Sequence, residues 1–151
     1  MAKAQRAGVV DLTPSRAFEL WTDVRRWPTF VDGFSRIERI DDTWPEGGAR
    51  VVWESVPTGR GTVTERVRHS LPGERIRTDV IEERLRGTQT AEFAPADHGA
   101  TAVILTLEYE LVRKGPLAWI TDVLFIRRAQ NDALARTLRR FATEAAEQAA
   151  L

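Results

Sequence analysis

The 151-residue chain is long enough for one domain with a sizeable core, and its 22 basic and 22 acidic residues lack the basic surplus typical of nucleic-acid-binding domains. Because the chain has no cysteine, a disulfide, a thiolate metal site and a cysteine nucleophile are excluded. With no apolar run of about 18 residues to span a membrane and no signal-peptide core near the N-terminus, we expect a cytoplasmic protein.

The first third of the chain predicts a strand followed by two short helices. Gln5–Leu12 is typical of a strand, and Thr13–Pro14 then forms a helix start, with Thr at the N-cap and Pro at the first helical position. A second helical turn is predicted to begin at Trp27–Pro28, and Asp23 is expected to cap it. A strand follows at residues 35–41. These helices concentrate aromatic residues that we expect to plug an open end of a sheet: Trp21, Trp27, Phe30 and Phe34.

The middle of the chain predicts a series of hairpins. Strands are predicted at residues 50–56, 62–70, 75–84, 88–94 and 101–112, with Gly- and Pro-containing turns or short polar segments between them. Apolar and polar residues alternate along each strand, and in the last strand every second residue from Val103 to Leu111 is apolar or aromatic. This pattern favours an antiparallel sheet with one solvated face and one covered face.

The C-terminal part predicts the element that covers the sheet. Residues 117–150 contain no Gly and, after Pro116, no Pro, and their apolar residues recur at steps of three and four. The predicted buried stripe comprises Ile120, Val123, Leu124, Leu134, Leu138, Phe141 and Ala145. Because one long helix must bury this stripe against the only large sheet, we predict an α+β fold with a cavity for a small hydrophobic molecule between helix and sheet.

Several segments resemble the START-like (SRPBCC) superfamily, and in particular its polyketide cyclase/dehydrase and lipid-transport group. They are Thr13–Asp23, Trp27–Phe30, Trp53, Arg86–Thr90 with Phe93, and Leu134, Leu138 and Phe141. The resemblance implies a single helix-grip domain over residues 1–151. In that fold, a seven-stranded antiparallel sheet wraps around a long C-terminal helix, and two short helices follow the first strand. Members include polyketide aromatase/cyclases, lipid and sterol carriers, quinone-binding proteins and chaperone-regulating domains.

Alternation along the strands predicts which side chains face the cavity. The inward sets are Val63, Glu65, Val67 and His69; Ile76, Thr78, Val80 and Glu82; and Gln89, Ala91 and Phe93. Glu82 would then lie opposite Gln89, and Glu65 opposite Val80. The two carboxylates would be diagonal neighbours on adjacent strands, about 7–8 Å apart between backbones.

The predicted position of Glu65 and Glu82 leaves several interpretations open. If they approach each other without a cation, one should keep its proton near neutral pH, and the pair becomes a candidate general acid and base. They are also candidate polar anchors for a ligand. Alternatively, Arg127 of the last helix forms a salt bridge with one of them, or a strand bulge turns one outward.

Aromatic residues complete the predicted lining. Trp53 and Tyr109 are expected either to contact a flat ring or to pack in the core, and Trp119 and Phe125 either to gate the cavity or to pack under Trp44–Pro45. The full predicted ligand-binding set is Trp53, Glu65, Val67, Val80, Glu82, Gln89, Phe93, Leu107, Tyr109, Trp119, Val123 and Arg127. The two histidines, His69 and His98, lie in different loop regions, so we expect no metal site, and no motif predicts a cofactor.

Three functions are compatible with these patterns. The first is a carrier or sensor of a lipid-, polyketide- or quinone-like molecule. The second is a polyketide aromatase/cyclase or dehydratase that uses Glu65 and Glu82. The third is a protein-interaction domain without a ligand, which would use the outer face of the sheet. That face is predicted to mix arginine and glutamate, which favours a solvated surface, although it leaves a homodimer open.

Overall fold

A computed structural model describes residues 1–57, 59–112 and 118–151, except for the side chains of residues 118–123. One seven-stranded antiparallel sheet runs in the order β1-β7-β6-β5-β4-β3-β2. Its strands are β1 (Ala2–Val10), β2 (Phe34–Ile40), β3 (Arg50–Ser55), β4 (Thr62–Leu71), β5 (Arg75–Ile81), β6 (Leu85–Pro95) and β7 (Thr101–Leu111). Together with the long C-terminal helix, this sheet confirms the predicted α+β helix-grip class.

The helices between β1 and β2 begin where the capping residues predicted them. Helix α1 (Pro14–Thr22) starts after Thr13, whose hydroxyl accepts a hydrogen bond from the Arg16 amide at 3.4 Å. A 3-10 turn (Val24–Arg26) follows, capped by the Asp23 carboxylate, which accepts from the Arg25 amide at 3.1 Å. Helix α2 (Trp27–Phe30) completes the group. These caps satisfy amides that a helix start leaves without partners.

The C-terminal helix α3 (Ala118–Ala149) packs its second half on the sheet and on α2. The predicted stripe is buried at Leu134, Leu138, Phe141 and Ala145. Leu138 lies directly over Gly8 of β1, where a Cβ atom would come within 3.2 Å of its Cδ2 atom. Glycine at this position therefore allows the helix and the strand to approach closely.

The first half of α3 departs from the predicted stripe. Leu124 is 68% exposed, whereas Ile126 is buried. The reason is that this part of the helix borders an open space beside the sheet instead of the core. Among the described residues, no helix is both long and apolar enough to cross a membrane.

Strand register decides which polar residues turn inward. Glu65 lies opposite Val80, as predicted. The register of β4 against β5 shifts between Val67 and His69, so that His69 is exposed, and its predicted inward position is wrong. An extra residue in one strand reverses the faces that follow it. Because this irregularity comes after Glu65, that carboxylate stays inside.

The predicted pairing of Glu82 with Gln89 is also wrong. Strand β5 ends at Ile81, and the Glu82 amide donates to the Leu85 carbonyl oxygen at 2.9 Å, which closes a tight turn into β6. Gln89 pairs instead with Thr78 of β5 and with Leu107 of β7.

Candidate functional site

Two adjoining spaces lie between the sheet and α3. The inner chamber, about 50 Å³, is enclosed by the sheet, the short helices and the middle of α3. The outer chamber, about 390 Å³, lies beside the β3–β4 and β5–β6 turns and the first half of α3. Four residues line both chambers and so mark the boundary between them: Asp32, Arg60, Gln130 and Ala133.

Tryptophans form one wall of the inner chamber. Trp27 contacts Trp44 and Trp53 edge to face, with ring centroids 5.8 and 6.4 Å apart. The Trp27 indole N–H donates to the Trp21 carbonyl oxygen, and that of Trp44 to the Thr22 carbonyl oxygen, both at 2.9 Å. Because a buried indole N–H needs a partner, these bonds fix the orientation of the rings.

Glu65 places a carboxylate in the wall of the inner chamber. Glu65 is only 8% exposed. Its two carboxylate oxygens accept hydrogen bonds from Trp53 Nε1 at 2.8 Å and from Thr78 Oγ1 at 3.1 Å. Gln89, opposite Thr78 on β6, adds an amide to the lining. A buried carboxylate is costly without donors, so the indole and the hydroxyl stabilise it in this position.

Glu82 belongs to the outer chamber and has a different partner. Its carboxylate accepts a hydrogen bond from Nε of Arg60, whose guanidinium carbon lies 5.2 Å from the centre of the Trp53 ring. The Ser55 hydroxyl accepts from the Arg60 amide at 2.6 Å and so holds the loop that carries it. Arg60 therefore joins the two chambers through an ion pair and a cation–π contact.

The predicted proton-sharing pair of carboxylates is not what the geometry provides. Glu65 and Glu82 bind different donors, and no hydrogen bond joins them in the described part of the chain. The alternative with Arg127 is wrong as well, because Arg127 forms no ion pair with either glutamate among the described residues. The cation beside Glu82 is Arg60, which lies in the predicted turn after β3.

The outer chamber combines an apolar wall with charged residues. Val56, Phe125, Ile126 and Ala129 provide apolar surface, and Phe125 is 71% exposed. Asp32 accepts hydrogen bonds from Arg136 at 2.9 and 3.1 Å, and this hydrogen bonding, helped by the negative charge of Asp32, raises the pKa of that guanidinium. Asp32 also lies 3.3 Å from Arg140, so the loop after α2 is tied to α3.

The other predicted site residues take different positions. Leu107 lines the inner chamber with Trp53, Glu65 and Gln89. The side chains of Trp119 and Val123 lie outside the described residues. The predicted residues that are buried but line neither chamber are Val67, Val80, Phe93 and Tyr109.

Tyr109 is buried against Gly87 of β6. Its hydroxyl makes no hydrogen bond of good geometry among the described residues, although the Arg127 side chain lies close to it. Burial raises the pKa of this hydroxyl, and the nearby positive charge of Arg127 partly opposes that rise. Within the described residues, no group of three His, Asp or Glu side chains is arranged to hold a metal ion.

Comparison with known proteins gives the chain a family context. The family model described as polyketide cyclase/dehydrase and lipid transport matches residues 1–146. No curated protein sequence matches the chain.

Solved structures share the fold at low sequence identity. TTHA0849 from Thermus thermophilus has 18% identity and a TM-score of 0.74, over 97% of this chain and 99% of that chain. A START superfamily protein from Mycobacterium smegmatis has 11% identity and a TM-score of 0.73, over 97% and 98%. The di-domain aromatase/cyclase StfQ of the steffimycin pathway has 17% identity and a TM-score of 0.73, over 99% of this chain and 52% of that chain.

Proposed function

Because the chain belongs to the polyketide cyclase/dehydrase and lipid-transport family, we propose that it binds a small hydrophobic molecule between the sheet and α3, as a carrier or sensor. The ligand is lipid-, polyketide- or quinone-like. The observation that carries this proposal is the outer chamber, whose volume of about 390 Å³ lies in the range of about 300–1,000 Å³ typical of small-molecule sites.

The two chambers bind different parts of the ligand. The inner chamber, about 50 Å³, has room for one end of a ligand or for a few water molecules, but not for a whole ligand. The outer chamber takes the body of the molecule. Its wall includes Phe125 at 71% and Val56 at 39% exposure, and covering this apolar surface contributes roughly 25 cal/mol per Å².

A substitution that fills the outer chamber tests the proposal. Ala129 is exposed on α3 and lines this chamber, so we expect Ala129→Trp to occupy it and to abolish binding of the neutral dye Nile red. Ala146 is an exposed alanine on the same helix that lines neither chamber. Ala146→Trp is therefore the matched control and should leave the dye affinity unchanged. Equal dye binding by both variants would count against the outer chamber as the site.

A second candidate function is supported by the position of Glu65. We propose that, if the protein is a polyketide aromatase/cyclase, this carboxylate accepts a proton from the reacting end of a poly-β-ketone in the inner chamber. Glutamine can keep hydrogen bonds to Trp53 and Thr78 but is not a base at neutral pH. Glu65→Gln should therefore abolish cyclisation measured by product chromatography while leaving Nile red affinity intact. Unchanged turnover would exclude Glu65 as the base.

A further inference from the structure

The charged residues of the outer chamber carry an excess of positive charge. Its lining includes three guanidinium groups, from Arg60, Arg84 and Arg136, and two carboxylates, from Asp32 and Glu82. Both carboxylates already have cationic partners. Asp32 binds Arg136 and lies near Arg140, which is outside the lining, and Glu82 binds Arg60.

The remaining donors belong to Arg60 and Arg84. Arg60 uses Nε for Glu82, and its two terminal nitrogens have no hydrogen-bond partner in the described part of the chain. Arg84 is exposed, and within the same residues it forms no ion pair. Planar guanidinium groups with unused N–H donors are suited to bind a carboxylate through two parallel hydrogen bonds.

The backbone holds Arg84 at a defined place. Its carbonyl oxygen accepts a hydrogen bond from the Val112 amide at 2.9 Å, and the turn that contains it is closed by the Glu82–Leu85 bond. The β5–β6 turn therefore presents Arg84 to the outer chamber from the end of the sheet. The apolar wall formed by Phe125, Ile126 and Ala129 belongs to α3.

We infer that the ligand is an amphiphilic carboxylic acid, whose ionised head binds Arg84 and the terminal nitrogens of Arg60 while its apolar body lies along α3. This inference rests on the proposed function, because it assigns the head-group chemistry of the same site. The excess of positive charge repels a cationic head group. An uncharged head group forms no ion pair, so the free N–H donors of the guanidinium groups stay hydrogen-bonded to water.

Three ligands of equal chain length separate head-group selectivity from hydrophobic binding. Decanoate, decanol and decylamine are each titrated against the protein with bound Nile red, and displacement of the dye is measured by fluorescence. We expect decanoate to bind most tightly and decylamine most weakly. Added salt should reduce the advantage of decanoate over decanol, because exposed charges are screened.

Two variants that remove the same charge test whether Arg84 is responsible for the preference for a carboxylate head group. Arg84→Gln should weaken decanoate binding about fivefold, the effect expected for an exposed ion pair, and leave decanol binding unchanged. Arg86→Gln removes the same charge two residues away, where Arg86 is exposed and lies 3.6 Å from Glu110, and should change neither affinity. Circular dichroism checks that both variants are folded.

The possible results distinguish the inference from the function beneath it. Equal affinities for decanoate and decanol overturn the inference, and so does a preference for decanoate that Arg84→Gln does not reduce. In both cases the proposed binding function stands. If neither Nile red nor any of the three ligands binds the wild-type protein, the proposed function and the inference both fail.

Discussion

The hydrogen bond between Thr78 and Glu65 can be removed without changing the shape of the core. Thr78 is 5% exposed, and its hydroxyl donates to the Glu65 carboxylate at 3.1 Å. Valine has nearly the same shape as threonine but no donor. We expect Thr78→Val to destabilise the protein, because one oxygen of a buried carboxylate loses its hydrogen-bond donor.

The expected size follows from two opposing contributions. A hydrogen bond to a charged group contributes about 1.5–3 kcal/mol. Burial of the added methyl group returns about 0.8 kcal/mol. The net loss in the free energy of unfolding should therefore be about 1–2 kcal/mol. In a Glu65→Met background the acceptor is gone, so the same Thr78→Val change should stabilise the protein by about 0.8 kcal/mol, a reversal of sign.

Urea unfolding followed by circular dichroism measures all four members of this cycle. The lost Trp53–Glu65 bond is common to both Glu65→Met proteins and cancels. Thr64→Val is the control, since Thr64 lies on β4 and its hydroxyl makes no hydrogen bond to other described residues; we expect a change within about 0.5 kcal/mol. If Thr78→Val stabilises the protein in both backgrounds, the hydroxyl does not hold the carboxylate, and water in the inner chamber solvates it instead.

Three further expectations concern stability and pH. Gly87→Ala should cost about 3 kcal/mol or more in urea unfolding, because a Cβ atom would overlap the β7 backbone, whereas Gly47→Ala has open space and should cost far less. Tyr109 is the only tyrosine, so tyrosinate absorbance should show this residue ionising above its ordinary pKa of 10.0. Unfolding returns the tyrosine pKa from its raised value to the ordinary one, so the free energy of unfolding should fall as pH rises through about 10, except in Tyr109→Phe. The Arg25 side chain lowers the pKa of Asp23, so the stability this pair contributes is lost as pH falls below about 4, and Asp23→Asn should flatten that part of a urea-measured pH profile.

The fold could be predicted because apolar residues recur with a clear period within most of its strands and in its long helix. Alternation located the five strands of the hairpin region, β3 to β7, and the absence of Gly and Pro located α3. The first strand was predicted two to three residues too far along the chain, at residues 5–12 instead of Ala2–Val10. Errors arose where a strand departs from its period without a sequence signal. The turn at residues 82–84 contains neither Gly nor Pro, so no residue type indicated that β5 ends at Ile81. The bulge before His69 likewise has no marker residue.

Strand alternation could predict only those residues of the candidate site that lie on strands. Glu65 and Gln89 follow from alternation, because a strand fixes the face of every second residue. Arg60 and Arg84 lie in turns, where no period relates a side chain to a face. Their positions depend on backbone hydrogen bonds to Ser55 and Val112, which only the folded chain brings together.

Strand residues and turn residues are expected to vary differently within the family. The strands and α3 define the chambers, and solved structures with 11–18% identity share that framework. The residues proposed to select a head group lie instead on the β3–β4 and β5–β6 turns. Turns accept substitution more readily than packed strands do. Ligand choice can therefore change at Arg60 and Arg84 without any change in the sheet, so head-group chemistry should follow these two positions more closely than overall sequence identity.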